Sequence, residues 1–218
     1  MNYSPLIISL KAAFISTIIN LLLGIYSAYF VSKLKKFKGV IDGILTLPLV
    51  LPPTVVGFFL LILLGKNSII GKILLKFNTS IMFSRTATII SATVVSFPLI
   101  YRTSRGAFEQ FDKNLIYVAK TLGLSEHTIF KKIILPNNVS SIVAGTILTF
   151  ARSLGEFGAT IMIAGNIPGK TQTMAVAIYS AVQGGNRQLA YKWVTLMASI
   201  SFFIIVLINI FENEKSVY

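Results

Sequence analysis

Arg152 and Glu156 are the side chains in this sequence best placed to act on an ion. They lie four residues apart inside an otherwise apolar run, Ile142 to Ile163. On a helix that spacing puts both on one face, within pairing reach. A charge at the centre of a membrane helix costs about 2.5–3.5 kcal/mol on insertion scales, so the pair needs a reason to be there. One reading is an ion pair satisfied inside a helix bundle. The other is an anion path, in which Arg152 attracts a dianion and Glu156 restrains that attraction so the ion is passed on. Ser153, Thr160 and the backbone at Gly155 and Gly158 would then add weak, exchangeable contacts.

Two other apparent sites fail on physical grounds. Ala164-Gly165-Asn166-Ile167-Pro168-Gly169-Lys170-Thr171 fits a relaxed P-loop pattern with alanine for the first glycine. A P-loop needs a strand before it and a helix after it, so that backbone amides face the phosphates. Here the segment follows an apolar run, contains a proline and falls on the side expected to face outward. It reads as a turn, and ATPase activity is not expected of this chain. There is no cysteine, and the single histidine, His127, cannot form a histidine metal cluster. With seven acids, few of them within apolar runs, no catalytic cluster emerges. No catalytic residue, metal or cofactor is expected, and the chain does not read as an enzyme.

The elements that must hold these residues are membrane helices. Of 218 residues, 54% are hydrophobic and 12% charged, against about 25% charged in soluble domains. The apolar runs are continuous and long enough for a bilayer of about 30 Å, unlike the alternating segments of a β-barrel. The fold class is all-α, a polytopic membrane protein read as one transmembrane domain over residues 1–218. Five spans are expected, at about 6–32, 41–64, 85–105, 138–165 and 190–211. The first is too long for a signal-peptide core and closes on Lys33, Lys35, Lys36 and Lys38 like a stop-transfer signal. The second is interrupted by Pro48, Pro52 and Pro53, so a kinked or unwound helix is expected, from packing or from lining a pathway. Basic residues at 33–38 and 102–137 place those loops in the cytoplasm, the N-terminus outside and the C-terminus inside. The net charge of +13 is read mainly as this loop bias, although Lys66, Lys72, Lys76 and Arg85 fall outside.

Between the third and fourth spans lies a polar loop, 106–137. Leu115, Val118, Ala119 and Leu122 share one helical face. Gly123 suits a left-handed helix end, and Ser125 suits the cap of the next helix. Ile129, Phe130, Ile133 and Ile134 form the apolar face of that second helix, which Pro136 stops. A compact hairpin of this kind implies a soluble partner. It also looks like a helix-turn-helix DNA reader, but pinned between spans it lacks a soluble core, and no nucleic acid is expected. A helix lying on the membrane surface is a further reading.

Ala119, Gly123, Ile133, Leu135 and Pro136 together resemble the coupling loop of ABC importer permeases, with Tyr117-Val118 where that family usually has Glu-Ala. Ala151-Arg152-Ser153-Leu154-Gly155-Glu156-Phe157-Gly158-Ala159-Thr160 and Gly165 to Thr173 look like the permease subunit of molybdate ABC importers. Leu47-Pro48-Leu49-Val50-Leu51-Pro52-Pro53-Thr54-Val55-Val56-Gly57 and Phe97-Pro98-Leu99 match the same family. The resemblance implies a homodimer, two copies of a cytoplasmic ABC ATPase and an external molybdate-binding protein. It implies a multi-pass protein in membrane lipid, in the plasma (inner) membrane of a prokaryote. Ala119, Leu122, Gly123, Phe130, Ile133, Leu135 and Pro136 would couple to the ATPase, with Ala119 and Gly123 allowing close approach. Arg152, Ser153, Gly155, Glu156, Gly158, Thr160, Pro52 and Pro53 would line the path. The segment 166–189, with Gln183-Gly184-Gly185-Asn186, is a candidate surface for the binding protein. Tungstate and sulfate importers share the machinery and stay open as alternatives. An anion channel would not need the coupling loop.

Overall fold

The computed structural model describes residues 3–213, with side chains described through residue 206, and every regular element among them is helical. The first helix, α1 (Ser4–Lys33), starts with Pro5 in its first turn, where the missing N–H costs nothing. It buries small and polar residues, Ala12, Ala13, Ser16, Asn20, Gly24 and Ala28, and exposes Phe14, Ile18, Leu22 and Phe30. Small residues inside and large apolar ones outside is the pattern of helices that associate in lipid, where close backbone packing is the main attraction.

The expected second span divides into α2 (Lys38–Val50) and α3 (Pro53–Leu64), which meet at 114°. The residue before a proline is forced out of the helical region. Accordingly Leu51 (ψ 140°) and Pro52 (ψ 136°) are both extended, and the chain turns there. A short helix, α4 (Ile69–Lys76), follows and leads to α5 (Arg85–Gln110). The polar loop folds as α6 (Lys113–Thr121) and α7 (Glu126–Asn137), and α7 bends by 73° into α8 (Val139–Leu154). The expected fourth span also breaks. It continues past Gly155-Glu156-Phe157 as the separate α9 (Gly158–Ile163). The expected external segment 166–189 contains a helix, α10 (Met174–Gln183), with Met174, Val176, Ala177 and Ala181 buried. The last helix is α11 (Arg187–Asn213).

By length and composition, two of these helices, α1 and α11, can cross a membrane, and four can if each bent pair counts as one span. The expected third span is a 26-residue helix, α5, but it is not among them. Its Thr88, Ser91, Ser96 and Ser104 lower its apolarity and are all buried. Two of them, Ser91 and Ser96, face a polar seam rather than lipid. Asn20 Nδ2 donates to Ser96 Oγ at 2.8 Å and to the Thr93 carbonyl at 3.0 Å. Ser153 Oγ donates to Ser96 Oγ at 2.8 Å, Ser16 Oγ donates to Ser153 Oγ at 3.0 Å, and the Ser91 and Thr160 hydroxyls lie 2.8 Å apart. Hydroxyls bonded across helices in this way join α1, α5, α8 and α9.

Ile100 of α5 fits between two glycines on its neighbours. A Cβ added at Gly24 would lie 2.7 Å from Ile100 Cγ2, and one at Gly145 would lie 3.0 Å from Ile100 Cδ1. Gly24→Leu therefore overpacks the α1–α5 contact and is expected to destabilise by about 1–3 kcal/mol. A thermal melt in detergent checks this, and an unchanged midpoint would refute the close-packing account.

Candidate functional site

The loop hairpin is built from its caps inward. Asp112 Oδ1 accepts the Asn114 amide at 2.8 Å and starts α6. Gly123 adopts φ +77° and ends it, with the Leu124 amide reaching back to the Ala119 carbonyl at 3.2 Å. Only glycine takes that conformation cheaply. Ser125 Oγ then accepts the Thr128 amide and starts α7. The middle of α7 widens into a π-turn over Phe130–Ile134, where the Leu135 amide bonds the Phe130 carbonyl. Pro136 does not stop α7, as the sequence suggests. The helix runs on to Asn137, and two asparagine side chains close it. Asn137 Nδ2 donates to the Ile133 carbonyl and Asn138 Nδ2 to the Ile134 carbonyl, both at 2.7 Å.

The two hairpin faces have different fates. Ile129, Phe130 and Ile134 of α7 are buried with Ala28 and Val31 of α1 and with Tyr101 and Phe108 of α5. Phe130 lies against Tyr29 with ring centroids 4.1 Å apart, and Phe108 meets it edge-on at 6.0 Å. It is an anchor to this chain's own helices. Ala119 is likewise buried in that cluster, where its small side chain packs within the hairpin. Ile133 and Leu135 are partly buried against the same cluster, and Pro136 is exposed. What α6 presents outward is Leu115, Tyr117, Val118 and Leu122, the last 73% exposed, beside an open Gly123. That is an apolar patch on the outward face of the hairpin.

A charged clasp fixes the hairpin from the side. Glu126 pairs with Lys33 of α1 at 2.5 Å and with Lys120 of α6 at 3.2 Å. Hydrogen bonds from Lys33, then Lys120, hold its carboxyl below the usual carboxylate range. A carboxyl lowered on folding stabilises above its unfolded pKa, and that contribution is lost as pH falls through the folded value. These groups are exposed, so screening keeps the effect below about 1 kcal/mol. The protection factors of the α7 amides, each referred to the intrinsic exchange rate at that pH, are expected to fall on acidification through the carboxylate range. Glu126→Gln should exchange faster at neutral pH and lose that pH response. An identical pH response in the variant would show that the clasp plays no part.

The second constellation lies where the two broken helices meet. A Cβ on Gly158 would fall 2.9 Å from Pro53 Cβ and 3.0 Å from the Thr54 amide nitrogen. One on Gly57 would fall 2.8 Å from Ala159 Cα. Glycine at both places lets the starts of α3 and α9 touch backbone to backbone. Glu156, only 2% exposed, caps this junction. Its Oε1 accepts the Ala159 amide at 2.8 Å, and its Oε2 accepts from Arg152 Nη1 at 2.8 Å. The i,i+4 spacing read from the sequence is thus a formed ion pair, with Arg152 partly exposed. Gly158, Pro53 and Glu156 gather at the junction, Gly155 faces Met197 of α11, and Pro52 is exposed at the bend. Ser153 and Thr160 are buried in the polar seam. The pairing of Lys33 and Lys120 with Glu126, the role of Asn20 and the close packing at Gly57 are not marked by the sequence. Asn20, the single amide in an uncharged run from Ala12 to Ser32, was the available signal.

Ala164–Thr171 is a turn after a helix. Gly165 (φ +69°) and Gly169 (φ +74°) shape it, and the amides of Lys170, Thr171 and Gln172 all bond the Ile167 carbonyl instead of facing outward.

Comparison with known proteins gives a consistent picture. Residues 20–213 match the model of the family described as binding-protein-dependent transport system inner membrane component. The molybdenum transport system permease protein ModB of Haemophilus influenzae is 43% identical over 195 residues, covering 87% of this chain and 85% of that protein. The ModB of Escherichia coli is 40% identical over 184 residues, covering 84% and 80%. Among solved structures, a chain of the inward-facing MetNI methionine ABC transporter superposes with a TM-score of 0.72 at 15% identity, covering 96% of this chain and 94% of that one. The last is a likeness of fold alone.

Proposed function

This chain belongs to the family of binding-protein-dependent transport system inner membrane components, and from that premise we propose that it forms the membrane path of an ATP-driven importer of molybdate. Members of this family are transport subunits, not enzymes, and work with an ATPase and a binding protein. The observation that carries the coupling role is the outward apolar face of α6 on a hairpin anchored by Phe130. An ATPase that grips Leu122 and its neighbours would move α7, and through the buried aromatic cluster it would move α1 and α5. ATP binding then favours one arrangement of the helices and hydrolysis the other. Coupling of this kind is differential binding to two conformations.

Two such chains with two cytoplasmic ATPase subunits form the assembly in this proposal, with an external protein delivering the oxyanion. The turn Gly184–Asn186 between α10 and α11 is the docking surface proposed for that protein. Molybdate as the solute rests on the 40–43% identity to molybdenum permeases. Deletion of the gene is expected to abolish molybdate uptake, with uptake in the complemented strain blocked by tungstate but not by sulfate. Retained molybdate uptake together with lost sulfate uptake would assign the chain to sulfate instead.

A further inference from the structure

At the end of the bundle away from the hairpin, a cleft of about 300 Å³ opens between α1 and α5. Its walls include Ile7, Ile8, Ile15 and Ile89, and it contains two cations, Lys11 and Arg85. Both cations are exposed. Arg85 donates to the Gly169 carbonyl at 3.3 Å, and among the described residues no acid pairs with either. The sequence explains why. Of its seven acids, Asp42, Glu109, Asp112 and Glu126 belong to the opposite end and its loops, Glu156 is held by Arg152, and the remaining two lie beyond residue 206. Among the described residues, no ion pair joins Lys11, Arg85, Lys66, Lys72, Lys76 or Lys170 to an acid. These exposed cations are open to a counter-ion from outside the chain.

The position of Lys11 identifies the source. No charged residue lies between Lys11 and Lys33. That uncharged stretch rises about 32 Å as a helix and matches a hydrocarbon core of about 30 Å. Lys11 therefore sits at the boundary between hydrocarbon and headgroups, with the exposed side chains of Ile7, Phe14 and Ile18 beside it on the lipid side. A free oxyanion gains nothing from isoleucine walls, whereas a phospholipid uses both halves of such a cleft. We propose that this cleft binds one anionic phospholipid, its phosphate between Lys11 and Arg85 and an acyl chain along the outer face of α1. The proposal is independent of which solute the chain carries.

The test is native mass spectrometry of the full-length chain in detergent, titrated with phosphatidylglycerol and, separately, with phosphatidylcholine. One tightly held phosphatidylglycerol is expected, with no comparable retention of phosphatidylcholine. Lys11→Gln should weaken it about fivefold, and Lys11→Gln with Arg85→Gln about thirtyfold, from about 1 kcal/mol per cation. Lys11→Arg should retain it. Lys11 has no protein partner to lose, so the single variant decides even if the Arg85 replacement disturbs the Gly169 loop. Equal retention of phosphatidylglycerol by wild type and Lys11→Gln, or equal retention of the two lipids, would overturn the proposal. So would displacement of the lipid by excess inorganic phosphate or molybdate, which would make this a free-anion site.

Discussion

Leu122→Asp is expected to abolish ATP-driven uptake while leaving the chain's own thermal midpoint nearly unchanged. Leu122 is 73% exposed and belongs to no buried cluster. Substitutions at such surface positions usually stay within about 0.5 kcal/mol for the fold. Its proposed contact with the ATPase is a different matter. A charge placed in the apolar centre of an interface removes a hot spot worth at least about 2 kcal/mol, or about thirtyfold in affinity. Phe130→Ala separates the two roles of the hairpin. It deletes the anchor between Tyr29 and Phe108 and is expected to cost about 3–5 kcal/mol of the chain's own stability. Three measurements check the contrast: oxyanion uptake, co-purification of the ATPase, and the melting midpoint of the chain alone. Normal uptake and co-purification in Leu122→Asp would remove the face of α6 from the coupling surface.

The hairpin was legible in the sequence because its signals are local. Gly123 and Ser125 mark the end of one helix and the start of the next through their own backbone and side-chain chemistry. Which residues of the two apolar faces turn inward depends on where α7 docks, and docking is tertiary. Ala119 and Phe130 share the coupling motif in sequence, and only the docked helices show that both are buried and that Phe130 lies against Tyr29 and Phe108. The same division runs through the spans. The outer helices α1 and α11 follow from uninterrupted apolar runs. The proline pair announces a break near Leu51, but its 114° angle is set by α3 meeting α9 across Gly57 and Gly158. The break at Gly155–Phe157 carries no proline. It exists because the Glu156 carboxylate takes the Ala159 amide and starts a new helix, a use of the acid that spacing alone does not reveal. Helix α10 was hidden by its length, 10 residues, too short to register as a span. Helix α5 is the reverse case. It has the length of a span, but its polarity makes sense only beside the hydroxyls of α1, α8 and α9.

Arg152→Gln is expected to destabilise the chain by about 3–5 kcal/mol, the cost of leaving a buried carboxylate without its partner. Glu156 is 2% exposed while Arg152 is partly open, so the penalty falls on the acid that remains. Restoring neutrality should restore the fold. In the double variant Arg152→Gln with Glu156→Gln, a glutamine amide oxygen can still accept the Ala159 amide, so the cap of α9 persists without a charge. The double variant is therefore expected to melt closer to wild type than Arg152→Gln alone. A double variant no more stable than the single one would mean that the stranded charge was not the source of the loss. Uptake by a folded double variant then decides between the two readings of this pair. If transport is normal, the charges only fix the junction of α3, α8 and α9. If transport is lost while the fold and the ATPase contact survive, the partly open guanidinium belongs to the anion path, with Glu156 setting how tightly it holds.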